Sequence, residues 1–362
     1  KIQAPNFDYL TFIYPTVVWI NPIFITSKVH KKQITDMKYL NKYPFVIMLL
    51  ISFAACDSDR TRHADVPMGQ AESIDRDTPH IVFVTGDEEY RSEESMPMLA
   101  RILANRYGFR VSVAYAVTDG VIDPNRQDNI EGLEALQDAD MMVMYTRFRN
   151  IPDHQLRYIL DFAESGKPMA GFRTSTHAFQ YGEDHPNHHL DFEWPQKVFG
   201  LPWISHYGGR NSTDVFLHDE NADHPILNAV EPFHARSWLY HATTLLDNAL
   251  PLLTGRAVEG ADPGGDYFGD PYVVAWTNLY EGENGTSRVF FTTLGHPRDF
   301  FDVNMRRLSI QGIFWALGME GQIPDEGLDV DFVGEYDPNP AGFGEQFKPN
   351  IRPEDIQLIV GQ

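Results

Sequence analysis

A chain of 362 residues that is 43% hydrophobic and 13% aromatic can bury a sizeable core, which excludes a globally disordered protein. Its 51 acidic residues outnumber 29 basic ones, and a formal charge of −22 repels phosphate backbones, so no nucleic-acid partner is expected. Cysteine occurs once, at Cys56, which excludes an intrachain disulfide and a cysteine-rich zinc site.

The chain opens on Lys1, and residues 1–36 are apolar and aromatic without the pattern of a second domain. They read as an over-extended gene start; a second membrane segment is the alternative, made less attractive by Pro15 and Pro22. From Met37, two lysines precede the apolar run Pro44 to Ala55, the layout of a signal peptide over 37–55. That run is shorter than the roughly 20 residues a membrane span needs. Phe53-Ala54-Ala55-Cys56 resembles a lipobox, although phenylalanine stands where leucine is usual. It implies lipidation at Cys56 and an exported domain anchored to the membrane at the cell envelope. The polar stretch 56–79 then reads as a flexible tether.

From His80 the pattern alternates. His80 to Thr85 is a short apolar run of the kind that forms a buried parallel strand. Met96 to Tyr107 reads as a helix with Pro97 in its first turn and Gly108 as its stop. Arg110 to Ala116 and Ala139 to Thr146 read as strands. A helix follows with Asn150 as N-cap and Leu156, Ile159, Leu160 and Ala163 on one face. Met169 to Thr174 reads as a fourth strand. Between His177 and Pro271 the pattern loosens, with short strands at Thr213 to Leu217 and Ser237 to Tyr240. Tyr272 to Leu279 and Arg288 to Leu294 form a hairpin around Glu281 to Thr286, and Val303 to Leu317 is a helix. Residues 321–362 read as an irregular tail. Strands separated by helices need crossover connections, which predicts a doubly wound, mostly parallel α/β sheet over 80–320.

In such a sheet ligands bind where the strands end. That rule nominates Asp87, Glu88 and Glu89 after the first strand, Arg147 after the third, Arg173 to His177 after the fourth and His296 after the last. His177, His206 and His296, with Glu89, are the expected acid/base residues, because histidine changes charge near neutral pH. Arg173, Thr174, Thr176, Asp87, Arg147 and Tyr207 are the expected substrate contacts, against a reading of the threonines as caps. Three histidines and a carboxylate also suit a zinc-like divalent metal, though no short metal motif accompanies them. The run His185 to His189 reads as a solvated loop. Trp194, Trp203, Trp238 and Trp276 either stack on sugar faces or fill the core. Gly-x-Ser-x-Gly, Walker A and a Rossmann glycine fingerprint are missing, so serine hydrolysis, NTP use and dinucleotide redox lack their usual signals.

The segment Lys167 to Phe179, followed by Asp223 to Leu227, Val274 to Thr277 and Arg288 to His296, resembles a ThuA-like (trehalose-utilisation) domain. The resemblance implies a flavodoxin-like, class I glutamine amidotransferase-like three-layer sandwich. Amidotransferases of that fold carry a nucleophilic cysteine at a strand–helix elbow. The one cysteine, Cys56, lies in the signal region, so glutaminase chemistry is not expected; where many relatives carry Gly-Leu-His or Gly-Ile-His, this chain has Arg173-Thr174-Ser175. The resemblance points instead to a small carbohydrate ligand, trehalose-type or keto-glycoside, processed by a hydrolase, lyase or isomerase. A non-catalytic carbohydrate-binding or structural module on the same fold is the alternative.

Overall fold

The computed structural model describes residues 78–208 and 210–359. The gene-start extension 1–36, the signal peptide 37–55, Cys56 and nearly all of the tether lie outside the described residues. Among the described residues no helix is long and apolar enough to cross a membrane.

Five strands form the parallel part of the sheet: β1 (His80–Gly86), β2 (Arg110–Thr118), β5 (Met141–Thr146), β6 (Met169–Phe172) and β11 (Gly285–Thr292), in the order β2-β1-β5-β6-β11. The intervening β3 (Val121–Ile122) and β4 (Ile130–Glu131) are two-residue pairings on β2. The helices are α1 (Ser92–Tyr107), α2 (Asp153–Ala163), α3 (Glu193–Phe199) and α4 (Val303–Ala316). Strand side chains alternate between two cores, as the pleat demands. Ile81 and Phe83 face α1 and α4, while Val82 and Val84 join the core that holds α2 and α3. This is the expected three-layer, doubly wound arrangement.

Beyond β11 the sheet continues antiparallel through β10 (Tyr267–Gly282), β9 (Leu250–Glu259), β7 (Asn211–Leu217) and β8 (Phe233–Ala235). The hairpin Gly282↔Gly285 closes β10 on β11 as expected. The strand expected at Ser237 to Tyr240 is displaced to Phe233–Ala235, and Tyr240 makes only an isolated bridge to His206. Helix α1 begins at Ser92, one turn before the expected start, because Glu93 and Glu94 favour the positive end of a helix dipole. Pro97 therefore lies inside the helix. Helix α2 starts after Pro152 rather than after Asn150. The fourth strand stops at Phe172, and Arg173–His177 turns as a 3₁₀ helix.

Gly171 shows how tightly the α3 face is packed. A Cβ there would lie 2.6 Å from Phe291 and 2.7 Å from Phe199, both ring atoms in the core. Gly171→Ala is expected to cost about 1–3 kcal/mol, the range for overpacking a filled core, as a lower urea midpoint with an unchanged slope.

Candidate functional site

The loops after the parallel strands meet above their carboxyl ends. Asp87 is fully buried there, and its Oδ1 accepts the N–H groups of Glu89 (2.7 Å) and Tyr90 (2.9 Å). Its Oδ2 accepts the Thr174 hydroxyl at 2.5 Å, which ties the turn after β1 to the turn after β6. The Thr176 hydroxyl donates to the Arg173 carbonyl at 3.3 Å. Both threonine hydroxyls and the Asp87 carboxylate are thus engaged within the protein, but the hydroxyls donate rather than accept, and neither caps the Arg173–His177 turn.

Arg173 stands at the elbow with φ +42°, a left-handed conformation rare for a side chain larger than glycine. Its guanidinium is buried, donating to Thr293 O (2.9 Å) and the Tyr90 hydroxyl (2.9 Å). The same group lies 4.1 Å from the Tyr90 ring centre and 4.8 Å from that of Tyr240. Among the described residues it makes no ion pair, and its Nε has no hydrogen-bond partner. Arg147 instead pairs with Glu88 and lies 3.5 Å from Glu89. Glu88 also holds the buried Arg149 at 2.5 Å. Strand order reverses between β1 and β5, where an open sheet usually admits its ligand, and this ion cluster fills that crevice.

The open space lies to the side, as a cavity of about 330 Å³ lined by Glu89, Tyr90, Arg236, Trp238, His296 and Phe343 among others. Burial, followed by the nearby charge of Asp87, raises the Glu89 carboxyl above its ordinary range. Burial pushes His296 down to about 4, against the attraction of Asp299 and with the help of Arg173. His296 Nδ1 accepts the Arg298 N–H at 3.1 Å, so the neutral ring carries its proton on Nε2 and is a donor there.

His206 has the opposite tautomer. His206 Nδ1 faces the Tyr207 carbonyl at 3.0 Å, and a carbonyl only accepts. His177 Nδ1 faces the Thr176 hydroxyl at 3.0 Å, a group that can donate or accept. Burial lowers the pKa of both rings. His206 packs on Trp238 at 5.0 Å and on Trp203 at 5.5 Å, and Trp203 in turn packs on His177 at 4.7 Å. His177 and His206 are therefore strung along one aromatic row, while His296 meets the Tyr90 ring at 6.2 Å instead. Among the described residues no group of three His, Cys, Asp or Glu is placed to hold a metal ion, so the zinc-like set is not assembled.

Tyr207 turns away from the cavity toward β10, where its hydroxyl accepts the Asp270 N–H at 2.7 Å. Trp276 and Trp194 are core residues, while Trp203 and Trp238 are half-buried beside the histidines. The His185 to His189 run lies in a loop where His188 meets Asp191 at 3.2 Å.

Sequence reasoning missed Tyr90, Tyr240, Arg236, Phe343 and the role of Asp299. The Asp299 carboxylate accepts Arg236 N (2.6 Å), the Ser237 hydroxyl (2.5 Å) and the N–H groups of Gly295 (3.1 Å) and His296 (3.0 Å). It thereby fixes both the His296 turn and the segment leading to Trp238. The strand-end position and its spacing three residues after His296, a capping-box arrangement, were the available signal.

No family model and no curated protein matches the chain. Among solved structures it is similar to a protein described as ThuA-like from Parabacteroides merdae, at 17% identity and a TM-score of 0.45, covering 66% of this chain and 90% of that one. It is also similar to the glutaminase domain of Trypanosoma brucei CTPS, at 13% identity and a TM-score of 0.37, covering 70% and 99%. An exo-β-1,4-mannosidase from an Opitutaceae bacterium aligns at 11% identity and a TM-score of 0.33, covering 67% of this chain and 36% of the enzyme. Likeness at this level carries neither activity nor substrate across.

Replacing Asp299 by Asn puts an amide N–H₂ against a ring of N–H donors. Asp299→Asn is expected to lose about 2–3 kcal/mol in urea unfolding. Amide exchange at Gly295 and His296 should accelerate in the same variant.

Proposed function

We propose that this chain is a ThuA-like protein that acts on a carbohydrate by acid/base chemistry, with Glu89 as the base and His296 as the donor. The observation that carries this reading is the pairing of opposite environments around one cavity. A half-buried carboxylate with a raised pKa is a stronger base than an ordinary glutamate, and a histidine held neutral presents a fixed Nε2–H.

The pair suits a keto-sugar. Glu89 takes the proton from the carbon beside the carbonyl, the C–H electron pair moves to form the enolate, and the developing charge on oxygen meets the His296 N–H. A neutral imidazole donates there without delivering a full proton to the wrong site. Trp238 supplies a ring face for the apolar side of the sugar. His206, one ring removed from the cavity, carries an unprotonated Nε2 and is the second candidate base; His177 is too deeply buried to meet the substrate without a rearrangement. Arg173 orients Tyr90 from below, and Arg147 holds the Glu89 turn. Upstream, Cys56 is the lipidation point that tethers this domain to the membrane at the cell envelope.

The direct test is a panel of disaccharides and keto-sugars, read by thermal shift and by product formation, with and without EDTA. Turnover of one keto-sugar, lowered about 10²–10⁴-fold by Glu89→Gln with binding retained, is the expected result. Binding without turnover would favour the non-catalytic module. Neither response would remove the carbohydrate reading.

A further inference from the structure

The irregular C-terminal tail is bonded to both turns that carry the proposed pair. The Gly342 N–H donates to the Glu89 carbonyl at 2.8 Å, and the Gly342 carbonyl accepts from the buried Arg91 guanidinium at 2.5 Å. Upstream, the Tyr336 hydroxyl donates to the Pro297 carbonyl at 2.8 Å, in the turn next to His296. The Asn339 N–H donates to Glu94 at 3.1 Å, and Lys348 pairs with the same carboxylate at 2.6 Å, so the first turn of α1 clasps the segment on both sides of Gly342. Between these ties, Ala341, Gly342 and Phe343 form one wall of the cavity that Glu89, Trp238 and His296 line.

Phe343 stands out within that wall. It is 55% exposed, as Phe192 is at 54%, but unlike Phe192 it lines the cavity, and its ring lies 5.1 Å from the Arg147 guanidinium that pairs beside Glu89. A large aromatic face left in water at the rim of a polar cleft costs free energy that an apolar ligand face recovers. The cavity, at about 330 Å³, leaves room beyond a single sugar ring.

We propose that residues 336–348 are a strap that completes the cleft, and that Phe343 selects ligands with a second ring beside the reacting one. The proposal rests on the carbohydrate reading above. It goes beyond that reading by placing specificity in a segment outside the sheet.

Calorimetric titration of the full chain with fructose and methyl α-glucoside as one-ring probes, and isomaltulose, trehalose and maltose as two-ring probes, tests it. The expected result is that a two-ring sugar binds about tenfold more tightly than the one-ring probes. Phe343→Ala should abolish that difference while leaving one-ring affinity in place, and Phe343→Tyr should restore it. Because Phe343 is exposed, neither substitution threatens the fold. One-ring and two-ring sugars binding alike, or a preference that survives Phe343→Ala, would overturn the strap while the carbohydrate reading stands. If no sugar binds at all, the carbohydrate reading itself fails and takes Phe343's role with it.

Discussion

Arg173 sits at the junction of three strand ends, its charge unpaired among the described residues. Its carbonyl accepts from Thr176, its guanidinium reaches Thr293 after β11 and Tyr90 after β1, and its own backbone follows β6. A positive φ at a non-glycine residue costs about 1–3 kcal/mol and persists only where surrounding contacts fix it. Here those contacts are the Asp87–Thr174 bond and the two tyrosine rings, Tyr90 and Tyr240, that face the guanidinium. Gly295 accommodates the same crowding from the other side, since a Cβ there would lie 2.9 Å from the Tyr145 hydroxyl and 3.3 Å from Arg173.

The charge has consequences for everything around it. Burial is the first cause of the low pKa of His177, His206 and His296, and the Arg173 charge pushes each in the same direction. The site therefore holds neutral imidazoles, which are hydrogen-bond donors or acceptors rather than cations, with the tautomers of His206 and His296 fixed by their Nδ1 partners. With Glu88, Arg147 and Arg149 filling the usual ligand crevice, the accessible space is moved toward His296 and the tail. The elbow after β6 thus carries a buried cation, and Tyr90, Tyr240 and the Thr293 carbonyl are arranged around it.

Much of the parallel half was legible, because a strand buried on both faces must be a short apolar run and HIVFVT, MMVMYT and RVFFTT have no other comfortable state. The antiparallel half was not. β9 (Leu250–Glu259) contains Pro251, Thr254, Gly255 and Arg256, and its partners supply the burial its own pattern does not announce. The strand-end rule nominated Glu89, Arg173, His177 and His296, but it says nothing of where a side chain goes next. Thr174 and Thr176 turned inward and Tyr207 turned to β10, while Tyr90 and Asp299 gained their roles from partners more than fifty residues away. Phe343 was invisible for the same reason. A ring in a Pro- and Gly-rich tail has no periodicity, and its place beside Glu89 comes from long-range hydrogen bonds.

The most direct test is ¹⁵N NMR of the His296 ring across pH. The account predicts a proton on Nε2, an unprotonated Nδ1, no titration between about pH 5 and 8, and protonation only near 4. A ring that titrates near the ordinary 6.5, or that carries its proton on Nδ1, would contradict the fixed neutral donor on which the proposed chemistry depends.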